Sequence, residues 1–296
     1  MRIHEVVCTN QNGDTLTISK SSNFKLVEDI ETSGLSAVTN YATNHRMHGA
    51  IPISSKLEQR DFSLLFYMLV ESKQSDWIQR QRNRVFKVFN PIYNPVRIEF
   101  KTEISVYIEA NVETTPYFEK GIENNNSTWQ KCLVQLSAGN PFYQNTVKVK
   151  TDIATWTPMF EFELEFGAGG IELGERVPSL IVNVYNDGQT PTGMIIQFRA
   201  VGTLLNPSIL NVNTREYFKL NKDMVAGEVI TINTNQGQKR VESLLNNVTT
   251  NIFNYMDFNS AFMQLDVGDN LFQSNAEERV ENLEVTIYHT AQFLGV

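Results

Sequence analysis

The sequence predicts a mainly β protein of two domains, the first carrying a single helix. Three observations lead there. Apolar and polar residues alternate with period two in segment after segment, only residues 75–89 show convincing helical spacing, and Gly, Pro and Asn cluster at 137–145 between two strand-rich regions. The domains are accordingly expected at 1–143 and 144–296, each long enough for its own core.

The opening residues, MRIHEVVCTNQNGD, read as a strand running into an Asn12-Gly13 turn. Further strands are expected in DFSLLFYML (61–69), VRIEF (96–100), SVYIEANVET (105–114) and WQKCLVQLSAG (129–139). The helix lies at SDWIQRQRNRVFKVF, 75–89. Ser75 or Asp76 suits its N-cap, Ile78, Val85 and Phe89 share a face, and Asn90-Pro91 stops it. The first half is thus a β barrel or curled sheet with one covering helix.

In the second half FEFELEF (160–166) sets four apolar residues against Glu161, Glu163 and Glu165. Shorter ladders follow at Leu180, Val182 and Val184, at Met194, Ile196 and Phe198, and at Leu283, Val285 and Ile287. Turns at Asn186-Asp187-Gly188, Asn235-Gln236-Gly237 and Val267-Gly268-Asp269 separate them. The spacing predicts an antiparallel sandwich or jelly roll of roughly seven or eight strands.

Composition narrows the function. A formal charge of -8 argues against a general nucleic-acid binder, since phosphate contacts need a basic surface. The longest purely apolar run, LLFYMLV at 64–70, is far short of the roughly 20 residues that span a bilayer. No apolar core of signal-peptide length opens the sequence, so the product is expected to stay in the cell that makes it. Cys8 and Cys132 are two distant cysteines, neither a disulfide framework nor a metal knuckle, and are expected in the core. The sequons at Asn126 and Asn247 carry no weight without a secretory signal.

No catalytic or metal signature emerges, and nothing calls for a cofactor. His45 and His48 stand three residues apart without the Glu or downstream ligand of a zinc site, and His4 and His289 read as ordinary strand residues. Glu161, Glu163 and Glu165 have the spacing of a glycosidase pair, yet acids alternating with Phe are what any wetted sheet face presents. FGAGGIELGE (166–175) is Gly-rich but leads to Arg176-Val177-Pro178 and a strand rather than to a phosphate-binding helix. Asp266, Asp269 and Asn270 lack calcium-loop spacing. Two features are candidates for binding. Arg80, Arg82, Arg84 and Lys87 place a basic run on the helix of an otherwise acidic chain, a candidate protein interface. Trp156, Tyr185 and Tyr217, with Tyr255 and Tyr288, are the large rings of the second half on which a sugar would stack, while Trp129 reads as core packing.

Several stretches, taken in order, resemble the siphovirus distal tail protein family. In the first half these are DIETSGLSAV, HGAIPISSKLEQRDFSLLF, RVFKVFNP and WQKCLVQLSAGNPFYQ; in the second, VYNDGQTPTGMIIQF, NPSILNVNTREYFKLNKDMVAGEVITINTNQG, FMQLDVGDNLF and VTIYHTAQFLGV. Asn140 before Pro141 departs from the acid often found there. The resemblance implies a ring-forming N-terminal β barrel with a helix, and a C-terminal β sandwich of the galectin or carbohydrate-binding-module kind. It also implies a homo-hexamer at the distal end of a phage tail, made in the host cytoplasm. That ring would join the tail tube to a tail-associated lysin or tip protein, and in some cases a receptor-binding protein, around a channel for DNA and the tape-measure protein. The expected role is structural, with no enzymatic activity and no membrane insertion. The alternative is a host cell-wall polysaccharide adhesin acting through the sandwich.

Overall fold

The computed structural model describes residues 3, 5–28, 30–46, 48–69, 76–102, 105–121, 128–153, 155–158, 174–177 and 181–296, with backbone alone at 155–158 and 174–177. His4, Ser75, Asn126, Leu180 and the FEFELEF ladder with Glu161, Glu163 and Glu165 lie outside the described residues, as do most of the Gly-rich stretch and the side chain of Trp156. Two compact units emerge: Met1–Thr146 together with Phe293–Val296, and Val147–Gln292.

In the first unit a single sheet runs Thr15–Ser19, Glu5–Thr9, Val96–Lys101, Val106–Val112, Trp129–Ala138, Arg60–Leu69, Phe24–Leu26. Neighbouring strands along this path are antiparallel. The first and last strands of that path are consecutive in sequence. The short turn between them is tied by the Ser22 hydroxyl, which bonds to the carbonyls of Ser19 and Phe24, so the sheet curls into a nearly closed barrel. Each strand contributes alternate residues to the interior, among them Val6 and Cys8, Phe66 and Met68, Ile98 and Phe100, Cys132 and Val134, all essentially buried. Both cysteines therefore sit in this core, unpaired, and burial pushes their thiols up out of the reactive range.

The helix, Trp77–Val88, buries Trp77, Val85 and Val88. Phe89, just beyond its end, is also buried, whereas Ile78 is only half-buried. The expected face is thus rotated by one position at its start, because the larger Trp77 takes the interior place. Asp76 holds the N-cap position without a side-chain cap and instead pairs with Arg80 at 3.1 Å. Beyond the helix Asn90 caps a short turn, Pro91–Tyr93, by accepting from the Ile92 amide at 3.0 Å.

The second unit is a sandwich. A six-stranded sheet runs Val149–Asp152, Leu283–His289, Met194–Ala200, Val229–Asn233, Arg240–Leu245, Val248–Asn251. A five-stranded sheet runs Ile181–Asn186, Gly268–Glu278, Leu204–Asn211, Tyr217–Lys219, with Asp223–Met224 also beside Leu204–Asn211. Met194, Ile196, Phe198 and Ile232 from the first meet Val184, Ile209, Phe218 and Phe272 from the second in one buried cluster. Two further strands, Thr155–Pro158 and Gly174–Val177, pair with each other. The two main sheets hold more strands than the seven or eight expected, because members of two to four residues are too short to show a period. One of these, Val248–Asn251, returns from its neighbour through Asn246 and Asn247, both left-handed, which makes a tight hairpin.

The Asn186-Asp187-Gly188 turn does not join neighbouring strands. Ile181–Asn186 and Met194–Ala200 belong to opposite sheets, and residues 187–193 carry the chain across. Buried Asn186 accepts from the Gly188 amide at 3.0 Å and donates to the carbonyls of Thr190 at 3.1 Å and Leu265 at 3.3 Å. Gly188 is required there, since a Cβ would sit 2.7 Å from the Gln292 carbonyl oxygen.

Candidate assembly interface

Among the described residues of the first unit, the hairpin of Ala37–Ala42 against Ile51–Leu57 pairs with no other strand. Neither strand has a buried residue. Tyr41 is 60% exposed, Ile51 54% and Ile53 69%. A lone two-stranded hairpin is marginal in water, and this one is held by its ladder and by side-chain bonds from Thr39 to Ser55 and Asn40 to Ser54, both 3.1 Å. Pro52, which has no amide to donate, falls where the register shifts after Asn40. Residues 32–57 contain no Asp or Glu, while Arg46 and Lys56 are cationic.

At the root of the hairpin opens a cavity of about 880 Å³ with the opposite charge. Glu28, Glu31, Glu58 and Asp61 line it with Lys56 and Arg60, leaving it acidic on balance, together with Ile30, Leu35 and Phe62. The Ser33 hydroxyl and amide both bond to Glu31 and hold its carboxyl below the usual range, so it stays ionised.

The helix's basic run is tied down locally. Arg80 pairs with Asp76, Arg82 donates to Gln130 at 2.8 Å and lies over the Phe118 ring, Arg84 lies over Phe24, and Lys87 reaches Asp14 at 2.6 Å. Arg80 and Lys87 remain more than half exposed, so their charge is available to a neighbour. Changing Arg80, Arg82 and Arg84 together to Glu should slow self-association most at low salt, with about 1–2 kcal/mol lost from the ring contacts within the unit. Association rates followed by light scattering between low and high salt check this. Parental rates in the variant would confine the run to its local contacts.

The structure does not gather the aromatic candidates. Tyr185 and Tyr217 project from the same outer face of the five-stranded sheet. Tyr185 lies four residues along from Ile181, about 13 Å, and Tyr217 three strands across from Ile181 through Gln273 and Leu210, about 14 Å. Their rings thus stand roughly 20 Å apart, too far to share one sugar. The Tyr217 hydroxyl is bonded to Asp257 at 3.2 Å. Trp129 packs edge-on against Tyr67, centroids 4.7 Å apart. His45 and His48 are exposed in the hairpin loop, and His289 is buried at the end of its strand. Among the described residues no three or more His, Cys, Asp or Glu gather as a metal site would require.

Two family models match the chain in tandem. Residues 11–131 match the phage tail protein RIFT-related domain, and residues 187–293 match the siphovirus-type tail component, C-terminal domain. The chain belongs to the siphovirus distal tail protein family. Solved structures agree on the fold of this tail protein. The crystal structure of the SPP1 Dit protein, described as a paradigm of the hub adsorption apparatus in phages infecting Gram-positive hosts, aligns with TM-score 0.70 and 15% identity over 98% of this chain and 99% of that one. A chain of the activated phage P2 baseplate with Ca aligns with TM-score 0.53 and 13% identity, covering 100% of both chains. The corresponding Sr structure gives TM-score 0.52 and 13% identity over 99% of each. No curated protein sequence matches the chain. This tail protein is a hub- or baseplate-type structural component of a phage tail.

Sequence reasoning missed the tail protein's hairpin. The signal available was Ile51-Pro52-Ile53, a proline between two β-branched residues, which marks an edge strand.

Proposed function

We propose that six copies of this chain close a ring through their first units at the distal end of a phage tail. The exposed hairpin carries this reading: it presents Tyr41, Ile51 and Ile53 to solvent on two strands that, among the described residues, pair only with each other. Ring closure needs two different surfaces on each copy. The apolar hairpin, with Arg46 in its loop, and the cavity at its root, acidic on balance, supply such a pair, with complementary charge to set the register. The family resemblance supports placing the ring between the tail tube and the tail-associated lysin or tip protein, around DNA and tape-measure protein. A net charge of -8 favours passage of DNA over its retention. The role is assembly and carries no chemical turnover.

Native mass spectrometry and light scattering of the full chain test the proposal. A species of six chains, formed alone or with the tip protein, is the expected result. A monomer at every concentration, with and without that partner, overturns it.

A further inference from the structure

Arg60 is a charged residue only 4% exposed, and its guanidinium is held by backbone carbonyls rather than by a carboxylate. Nε donates to the Pro141 carbonyl at 2.9 Å, Nη1 to Thr32 at 3.1 Å and Nη2 to Leu294. The Tyr143 ring lies 4.7 Å beneath the guanidinium carbon. A planar fork with five N–H groups can gather three chain segments in this way, whereas an ammonium is a compact point that cannot reach all three. Those segments, at Thr32, Pro141 and Leu294, are distant in sequence, and the hairpin lies between the first of them and Arg60 itself. Thr32 precedes strand Ala37–Ala42, and Arg60 itself follows strand Ile51–Leu57.

The third segment, Phe293–Val296, reaches the same place from the far side of the sandwich in sequence. Buried Thr32 donates its hydroxyl to the Val296 carbonyl. Gly295 lies so close that a Cβ there would stand 3.3 Å from the Thr32 carbonyl oxygen. Phe293 and Val296 also pack on the barrel core. Just outside, the Glu58 amide donates to the Ser36 carbonyl at 3.0 Å and closes the hairpin's base.

We propose that Arg60 and Phe293–Val296 form a latch that fixes both roots of the hairpin, so that the orientation of this arm depends on a segment encoded after the whole sandwich. Its consequence for assembly rests on the ring reading above; the latch itself does not. In an unlatched chain the hairpin would pivot about residues 33–36 and 58–59. Finding a neighbour's groove would then cost the ordering that the latch provides in advance.

The test uses the full chain and two variants, Arg60→Lys, which keeps the charge and loses the fork, and Thr32→Val, which removes only the hydroxyl bond to Val296. Amide hydrogen exchange at residues 33–36 and 58–59 is compared with that of Val96–Lys101 in the barrel wall, and tryptic cleavage at Arg46 and Lys56 is timed in parallel. The latch predicts at least tenfold faster root exchange and faster cleavage in Arg60→Lys, a smaller change in Thr32→Val, and an unchanged barrel wall. Unchanged root exchange in both variants overturns it. Acceleration spread equally into Val96–Lys101 also overturns it, since Arg60 would then support the barrel as a whole. If root exchange responds as predicted while the parent chain forms no ring, the latch stands and the ring reading falls. If the parent forms rings and root exchange does not respond, the reverse holds.

Discussion

Replacing Ile51 and Ile53 together by Asp should abolish ring formation while leaving the melting temperature of the first unit nearly unchanged. Both side chains are more than half exposed and belong to no core, so the unit itself should lose no more than about 0.5 kcal/mol. In the proposed ring the same two residues would be buried anchors, and losing such anchors costs about 2 kcal/mol each. Roughly 4 kcal/mol per contact weakens each interface nearly a thousandfold, and the cost recurs at every interface of a closed ring. The new carboxylates would also face the acidic cavity lined by Glu28, Glu31, Glu58 and Asp61, adding repulsion where the parent has complementarity. Thr at both positions keeps strand propensity and should give an intermediate loss. Size-exclusion chromatography with light scattering reads the outcome, and rings at parental concentrations in the Asp variant would remove the hairpin from the interface.

The second large effect lies in the sandwich. Glu228 is 1% exposed and receives the Lys222 ammonium at 2.7 and 3.0 Å, the Ser243 hydroxyl, and the Val225 amide at 3.3 Å. Burial pushes its carboxyl up, but the bonds from Lys222, Ser243 and Val225 together outweigh burial and leave it below the usual carboxylate range. Glu228→Ala strands an ammonium that had been neutralised and should cost the sandwich about 3 kcal/mol, the low end for such pairs because water still reaches Lys222. That corresponds to a fall of roughly 6–12 °C in its melting transition. A carboxyl depressed in the folded state stabilises fully above its unfolded value and loses that contribution as pH falls through the folded one. Parent and Glu228→Gln should therefore differ at pH 7 and converge as the pH falls well below about 4. Calorimetry at several pH values measures both effects. An Ala variant within 1 °C of the parent at pH 7 would show that the pair contributes nothing net.

Where burial imposes alternation, the sequence was readable. Residues 61–69, 96–100 and 129–139 each show one wet and one dry face, and each is a strand of the barrel wall. Met194, Ile196 and Phe198 were equally plain, because a sandwich interior selects every second residue. The hairpin at 37–57 was silent for the same reason: neither of its faces is buried within its own unit, so nothing there enforces a period. Arg60 was silent for another. Its partners lie 28, 81 and 234 residues away and are backbone carbonyls, which leave no mark in side-chain identity. Tyr185 and Tyr217 were visible as rings, but only the strand order shows that two whole strands separate theirs.

The return of Phe293–Val296 to the first unit makes the sandwich a guest in another fold's loop. The outgoing strand, Tyr143–Asn145, pairs with the incoming one, Gln292–Phe293, so the chain leaves and re-enters its host at neighbouring points about 5 Å apart. A lodger whose own ends lie side by side adds little closure entropy to the host, whatever its size. This doorway is thus a natural grafting point, and a different module with adjacent ends could be housed there while the barrel and its hairpin stay as they are.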